Sequence, residues 1–269
     1  MAADESIEHA LRERRLDIWY QPKIDLRREC LAGAQALPRI RDPMRGALPP
    51  QRFAPSAGPS GLLRLAEHTL ISTLRDWSMF DQAGFNLKLS VNVPASVLLK
   101  LPVATLVRES RPRAAHWPGF VIGVGADEIA RDLPLAGEIA KQLEIDGVSV
   151  AIDDFGAGNC SFASLRGLPF AELKLHASLV KDCADEGING AICQTVIDLA
   201  HRIGSRAVAD GIENVPDLHA LLVMCCDFGQ GALLCPPLPK ERFIALLYSR
   251  LSRAKAQPVA AAMPGMQVA

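Results

Sequence analysis

Val148-Ser149-Val150-Ala151-Ile152-Asp153-Asp154-Phe155-Gly156-Ala157-Gly158 is the stretch on which the fold turns. Apolar residues occupy nearly every position up to Ile152, the pattern of a strand covered on both faces, as in a parallel α/β sheet. Two carboxylates follow at its carboxyl end, where α/β barrels build their sites. Adjacent aspartates in that position hold divalent cations through oxygen. Asp and Gly also suit an ordinary solvated turn, so the neighbouring sequence has to decide.

Upstream, Ile18 to Asp25 and Leu31 to Leu37 read as two strands joined by a turn around Arg27-Arg28-Glu29, a hairpin. A proline- and glycine-rich segment from Pro43 to Pro59 punctuates the chain. Ser60 is placed to cap a helix through Leu62, Leu65, Ala66, Leu70 and Leu74. Strand and helix patterns then alternate. Strands fall at 87–93, 120–124, 148–154, 172–175, 206–209 and 227–231, and helices near 95–110, 134–145, 188–203, 215–225 and 239–253. Such alternation implies parallel strands with crossover helices, and about eight strands in this length favour a closed (β/α)8 barrel. The expected organisation is a helical extension over 1–15, a barrel over 16–253 and a disordered tail over 254–269, rich in Ala, Pro and Met.

Composition excludes several classes. A formal net charge of −1 over 269 residues offers no basic footprint for nucleic acid. No run of about 18 apolar residues marks a membrane span, and the acidic start Met1-Ala2-Ala3-Asp4-Glu5 is unlike a secretory signal. The cytoplasm is the expected compartment. The seven cysteines are odd in number and irregularly spaced, without a C-x-x-C pair, so most of them are expected to be small buried hydrophobes.

Six motifs occur in order: Tyr20-Gln21-Pro22, Ser90-Val91-Asn92-Val93, Asp153-Asp154-Phe155-Gly156-Ala157-Gly158, Leu173-Lys174, Ala209-Asp210-Gly211-Ile212-Glu213 and Gln230-Gly231. In this order, over roughly residues 16–250, the chain resembles the EAL family of bacterial cyclic di-GMP phosphodiesterases. The resemblance implies a modified TIM barrel whose first strand runs opposite to the others. It also implies two Mg²⁺ or Mn²⁺ ions at the carboxyl ends of the strands, of the kind that stabilise attacking and leaving oxygens.

On that resemblance, the ligand positions kept are Asn92, Asp153, Asp154 and Asp210, the last one methylene shorter than the family's glutamate. Lys174 matches the lysine near the nucleophilic water, and Glu213 is also kept. Two glutamates are lost: the family's Glu-Ala-Leu falls at Gln35-Ala36-Leu37, and the second position is Gly123. Asp127 and Glu128 lie nearby, but recruiting either requires a change of register. The loop after the aspartates departs from the family at Asn159 and Cys160, and His176 stands where an aspartate is usual. A lone histidine at a strand end is more often structural than a ligand. For the nucleotide, the matching positions are Gln21, Leu37, Arg39 and Gln230, with Pro38 interrupting the strand between Leu37 and Arg39.

Mg²⁺ demands near-ideal oxygen geometry, so two missing carboxylates lead to the expectation of no metal and no catalysis. The expected function is a noncatalytic, degenerate regulator in cyclic di-GMP-related signalling, acting through a protein partner that the sequence leaves unidentified. The alternatives carried beside it are a metal-independent cyclic di-GMP receptor and a residual phosphodiesterase using Mg²⁺ or Mn²⁺. A homodimer is implied by resemblance alone, and neither nucleic acid nor membrane is expected as a partner.

Overall fold

The computed structural model describes residues 7–111, 114–131, 133–161, 165, 167–185 and 187–256. Among them are ten strands: β1 (Leu16–Asp25), β2 (Cys30–Asp42), β3 (Gly46–Leu48), β4 (Lys88–Asn92), β5 (Phe120–Gly125), β6 (Val148–Phe155), β7 (Glu172–Leu175), β8 (Arg206–Ala209), β9 (Phe228–Gly229) and β10 (Leu238–Pro239). Strands β2 and β4 to β9 pair in parallel from one neighbour to the next, and β1 joins β9 to β2. The result is a closed eight-strand barrel flanked by helices. Strand β1 is antiparallel to each strand it pairs with, β2, β9 and the short β10, as the resemblance implies. Its amino end, Leu16, pairs with Ile40 near the carboxyl end of β2, so β1 starts on the rim where the other strands finish.

Burial explains the strand sequences. Val121, Ile122 and Val124 of β5 and Val148, Val150 and Ile152 of β6 are all buried, the two-sided burial that a near-continuous apolar run anticipates. Strand β1 alternates instead: Leu16, Ile18 and Tyr20 pack outward under the helices, while Asp17, Trp19 and Gln21 are half-buried. The helix Pro59–Gln82 covers this seam with one buried face, formed by Ala66, Leu70, Thr73, Leu74, Trp77 and Phe80 at helical spacing. Tyr20, Phe80 and Phe243 meet there with ring centroids 5.0–5.5 Å apart. A smaller apolar cluster holds the helix Ile7–Arg12 against Leu16, Ile40, Leu48, Phe53 and Leu65.

Several boundaries differ from expectation. Pro59 occupies the first turn of its helix and Gly58 the cap, so Ser60 lies inside and caps nothing. The helix expected near 95–110 is two, Ala95–Leu98 and Val103–Ser110, because Pro102 cannot continue the first. Strand β2 runs through Pro38 to Asp42 rather than ending at Leu37, with Pro38 facing Ile18 of β1. The last helix, Lys240–Ala256, extends past residue 253 into the segment expected to be tail, and residues 257–269 lie outside those described.

Candidate functional site

The site begins with a break in β6. In a regular strand, adjacent side chains point to opposite faces. Here the register with β7 shifts between Ile152 and Phe155, and Asp154 sits in the left-handed region at φ 55°. That bulge turns two sequential carboxylates to the same end of the barrel. Asp153 is buried (3% exposed) and Asp154 is exposed at the rim. Left-handed backbone at a non-glycine residue costs of order 1 kcal/mol and is found where function holds it in place.

Lys174, from β7, lies at the centre. Its Nζ is 2.9 Å from Asp210, 3.5 Å from Asp153 and 3.0 Å from the Gln35 Oε1, to which it donates. Burial alone lowers a lysine, but Asp153 and Asp210 outweigh it and hold the ammonium above its ordinary value. Lys174 therefore stays charged. Asp154, though exposed at the rim, feels the opposite balance: partial desolvation by the protein around it and the Asp153 carboxylate push it up, against the pull of Lys174 and His176.

Asn92 donates from its amide to Asp153. It can do so because residue 123 has no side chain: a Cβ on Gly123 would stand 2.5 Å from the Asn92 Oδ1. Gly123 thus leaves the space in which Asn92 reaches Asp153. Below this layer the lumen is filled. Lys23 and Glu172 form an ion pair across it, and the remaining cavity between Gln35, Ser90, Asp153 and Gln230 measures only about 20 Å³.

The other sequence-selected residues divide cleanly. Asp127 accepts from the Cys160 amide at 2.7 Å, in the loop after β6, and Glu128 accepts at 2.6 Å from the amide of Ala95, the first residue of the helix Ala95–Leu98, so both are committed away from the site. His176 caps the helix Ala177–Val180, its Nδ1 accepting from the Ser178 amide at 3.2 Å. Glu213 and Asn159 are exposed, and Cys160 is half-buried. Gln21 faces Gln35 across the β1–β2 pair, with Leu37 half-buried two residues further along β2. Arg39 lies over the Trp19 ring, 5.7 Å from its centroid, and donates to the Pro38 carbonyl at 2.9 Å. Gln230 is 1% exposed, and its Nε2 has no hydrogen-bond partner among the described residues. The sequence reading overlooked Trp19 and the Lys23–Glu172 pair. A charged residue in an alternating strand, at the inward position beside Gln21, was the available signal for Lys23.

Divalent cations need several hard oxygen donors around one point. Asp153, Asp154, Asp210 and Asn92 supply oxygens, but the Lys174 ammonium already lies between two of them. Among the described residues no three His, Cys, Asp or Glu side chains gather as a metal would require. The residues present do not fit a two-ion cage.

Barrel, bulged aspartate pair and central lysine define an EAL-type barrel. The EAL domain model matches residues 4–237, and the chain belongs to that family. Among curated proteins, it is 31% identical over 225 residues to the cyclic di-GMP phosphodiesterase PA2567 of Pseudomonas aeruginosa, covering 83% of this chain and 38% of that protein. To the cyclic di-GMP phosphodiesterase NbdA of the same organism it is 32% identical over 239 residues, covering 88% and 30%. The chain therefore spans well under half the length of these relatives. A solved phosphodiesterase, PaMucR in complex with cyclic di-GMP, superposes with a TM-score of 0.81 at 28% identity, covering 88% of this chain and 98% of that one. The Xanthomonas citri FimX EAL domain, solved with cyclic di-GMP, matches with a TM-score of 0.77 at 20% identity, which speaks for the fold alone.

These likenesses overturn the expected function. The relatives carry phosphodiesterase names, and none of them points to a noncatalytic regulator working through a protein partner. The expectation that the chain is not an enzyme falls with it, and the receptor alternative fares no better. Among the described residues no helix is long and apolar enough to cross a membrane.

Proposed function

We propose that this chain acts on cyclic di-GMP as a phosphodiesterase, at the carboxyl-end opening of the barrel. The observation that carries the reading is the Asp153–Asp154 pair, turned to one end by the bulge and set around Lys174 and Asp210. The names of the relatives, cyclic di-GMP phosphodiesterases, support this substrate and reaction. In this reading Lys174, locked as an ammonium, presents positive charge to a phosphodiester and its attacking water. Arg39, set over Trp19, offers a planar donor fork to a second phosphate oxygen. Asp153 orients Lys174, and Asn92 fixes Asp153 in turn.

The test is direct. Purified protein incubated with cyclic di-GMP, in Mg²⁺, in Mn²⁺ and in EDTA, is followed by chromatography of the linear dinucleotide. Product is expected in at least one condition and is expected to vanish in Asp153→Ala. Absence of product in all three, from protein that is folded by circular dichroism, overturns the proposal.

A further inference from the structure

The loop that carries Asp154 out of β6 is fixed from both sides. At its start the Asp154 carbonyl accepts from the Ala157 amide at 3.1 Å, closing a turn over the left-handed residue. Gly156, at φ 93°, passes against Leu179 of the helix Ala177–Val180, where a Cβ would stand 2.9 Å from the Leu179 Cγ. On the other flank stands Asp127, in the first turn of the helix Ala126–Ile129 that follows β5. Its Oδ1 accepts from the Cys160 amide at 2.7 Å. Gly158 passes so close that an added Cβ would stand 2.5 Å from the Asp127 Cγ and overlap a carboxylate oxygen.

Asp127 is exposed, so it adds nothing to the core, and it belongs to none of the six motifs. Its place is nevertheless set by the barrel: Gly125, two residues earlier, pairs with Asp153 in the β5–β6 register. The Asp127 bond ties the far end of the loop to the element after β5, as the Leu179 contact ties its start to the element after β7. An acidic side chain that served only solubility would not require glycine opposite it. Here the Cys160 amide holds the carboxylate against the backbone of residue 158, and the carboxylate cannot swing away without losing that bond. Only glycine lets two segments approach this closely.

We propose that Asp127 is a positioning residue for the site, clamping the loop over 156–160 and so holding Asp154 at the barrel opening. It touches no reacting atom and acts through the loop backbone. The clamp itself stands on geometry; its effect on turnover rests on the phosphodiesterase reading above.

The experiment uses the full chain with Asp127→Ala, Asp127→Asn, Gly158→Ala and the double variant Asp127→Ala with Gly158→Ala. Both residues are exposed, so these changes leave the core intact. Hydrogen exchange, read on peptic fragments spanning 155–161, needs no substrate. The Cys160 amide is expected to lose protection in Asp127→Ala, and in Gly158→Ala, where the new methyl pushes the carboxylate off. Asp127→Asn keeps an acceptor oxygen and is expected to restore protection. The double variant is expected to match Asp127→Ala, because the methyl then meets no carboxylate. Cleavage of cyclic di-GMP reads the second half. In Asp127→Ala and in Gly158→Ala, kcat is expected to fall about 10- to 100-fold with KM within about twofold. The double variant should fall no further, and Asp127→Asn should recover. A wild type that forms no product removes the phosphodiesterase reading, and exchange then decides the clamp on its own. The proposal is overturned if the Cys160 amide exchanges at one rate in wild type and Asp127→Ala. It is equally overturned if Gly158→Ala costs as much in the Asp127→Ala background as in wild type, or if an active wild type and Asp127→Ala share one kcat.

Discussion

At Gly123 the missing side chain matters because the Asn92 amide occupies the space it would take. Asn92 leans over it to bond Asp153, so a glutamate introduced at 123 must displace an amide oxygen 2.5 Å from its Cβ. Gln35→Glu meets no such obstacle, because the new carboxylate would accept from Lys174 where the amide oxygen already does. Together, Gln35→Glu and Gly123→Glu add two anionic oxygens to the cluster and are expected to raise Mg²⁺ affinity over wild type, measured by calorimetry. Unchanged affinity would mean that Asn92 does not yield. Lys174→Met tests the other side of the balance. It strands Asp153 and Asp210 as buried or half-buried anions and is expected to lower stability by about 3–5 kcal/mol, read from the urea midpoint. At this scale the sequence was legible where charge interrupts an apolar run, as at Asp153, Asp154 and Lys174. It was silent on which neighbour each charge would choose. Nothing in Asp127-Glu128 announces that both are spent on backbone amides, one in a loop and one at a helix start, since those amides come from segments 33 residues away.

Single elements are tied to one another by a few buried polar groups. Asp76, on the helix Pro59–Gln82, accepts from the Tyr20 hydroxyl of β1 at 2.7 Å and from Lys240 at the start of the last helix at 3.0 Å. Tyr20→Phe removes one of these donors and is expected to cost about 1–3 kcal/mol in chemical denaturation, because Asp76 stays buried with fewer partners. Asp227, just before β9, accepts from the Ala207 amide at 2.9 Å, His201 at 2.7 Å and Arg206 at 2.8 Å. Burial raises its carboxyl, but the Ala207 amide, His201 and Arg206 outweigh burial and leave it below the ordinary range. A depressed carboxyl gives stability that is present above its unfolded value, about 3.9, and is lost as pH falls through the folded one. Asp227→Asn is therefore expected to be less stable than wild type by about 1.5–3 kcal/mol at pH 7, with the gap closing below about pH 4 in parallel thermal melts. Element type was readable from periodicity almost throughout. Element ends were not, because Pro102 and Gly58 act through backbone geometry that apolar spacing does not register.

For the molecule as a whole, closure depends on β1, which carries Lys23 into the lumen to meet Glu172 of β7. Both side chains are about nine-tenths buried, at 8% and 12% exposure. Lys23→Met alone is expected to cost about 3–5 kcal/mol, and Lys23→Met with Glu172→Leu to recover most of it, because an apolar pair avoids the desolvation penalty of a buried ion pair. A double-mutant cycle in urea checks both values, and a double variant no better than the single would show that the charges also hold the lumen in register. The barrel itself was legible as strand–helix alternation, whereas the reversed direction of β1 rested on family likeness, since an isolated strand's sequence has no arrow. That reversal has a consequence for how the molecule can be wired. An all-parallel barrel receives its chain on the face opposite its site. Here the helix Ile7–Arg12 and the start of β1 stand on the same rim as Asp154, so a domain grafted ahead of residue 7 would hang beside the doorway rather than beneath the floor.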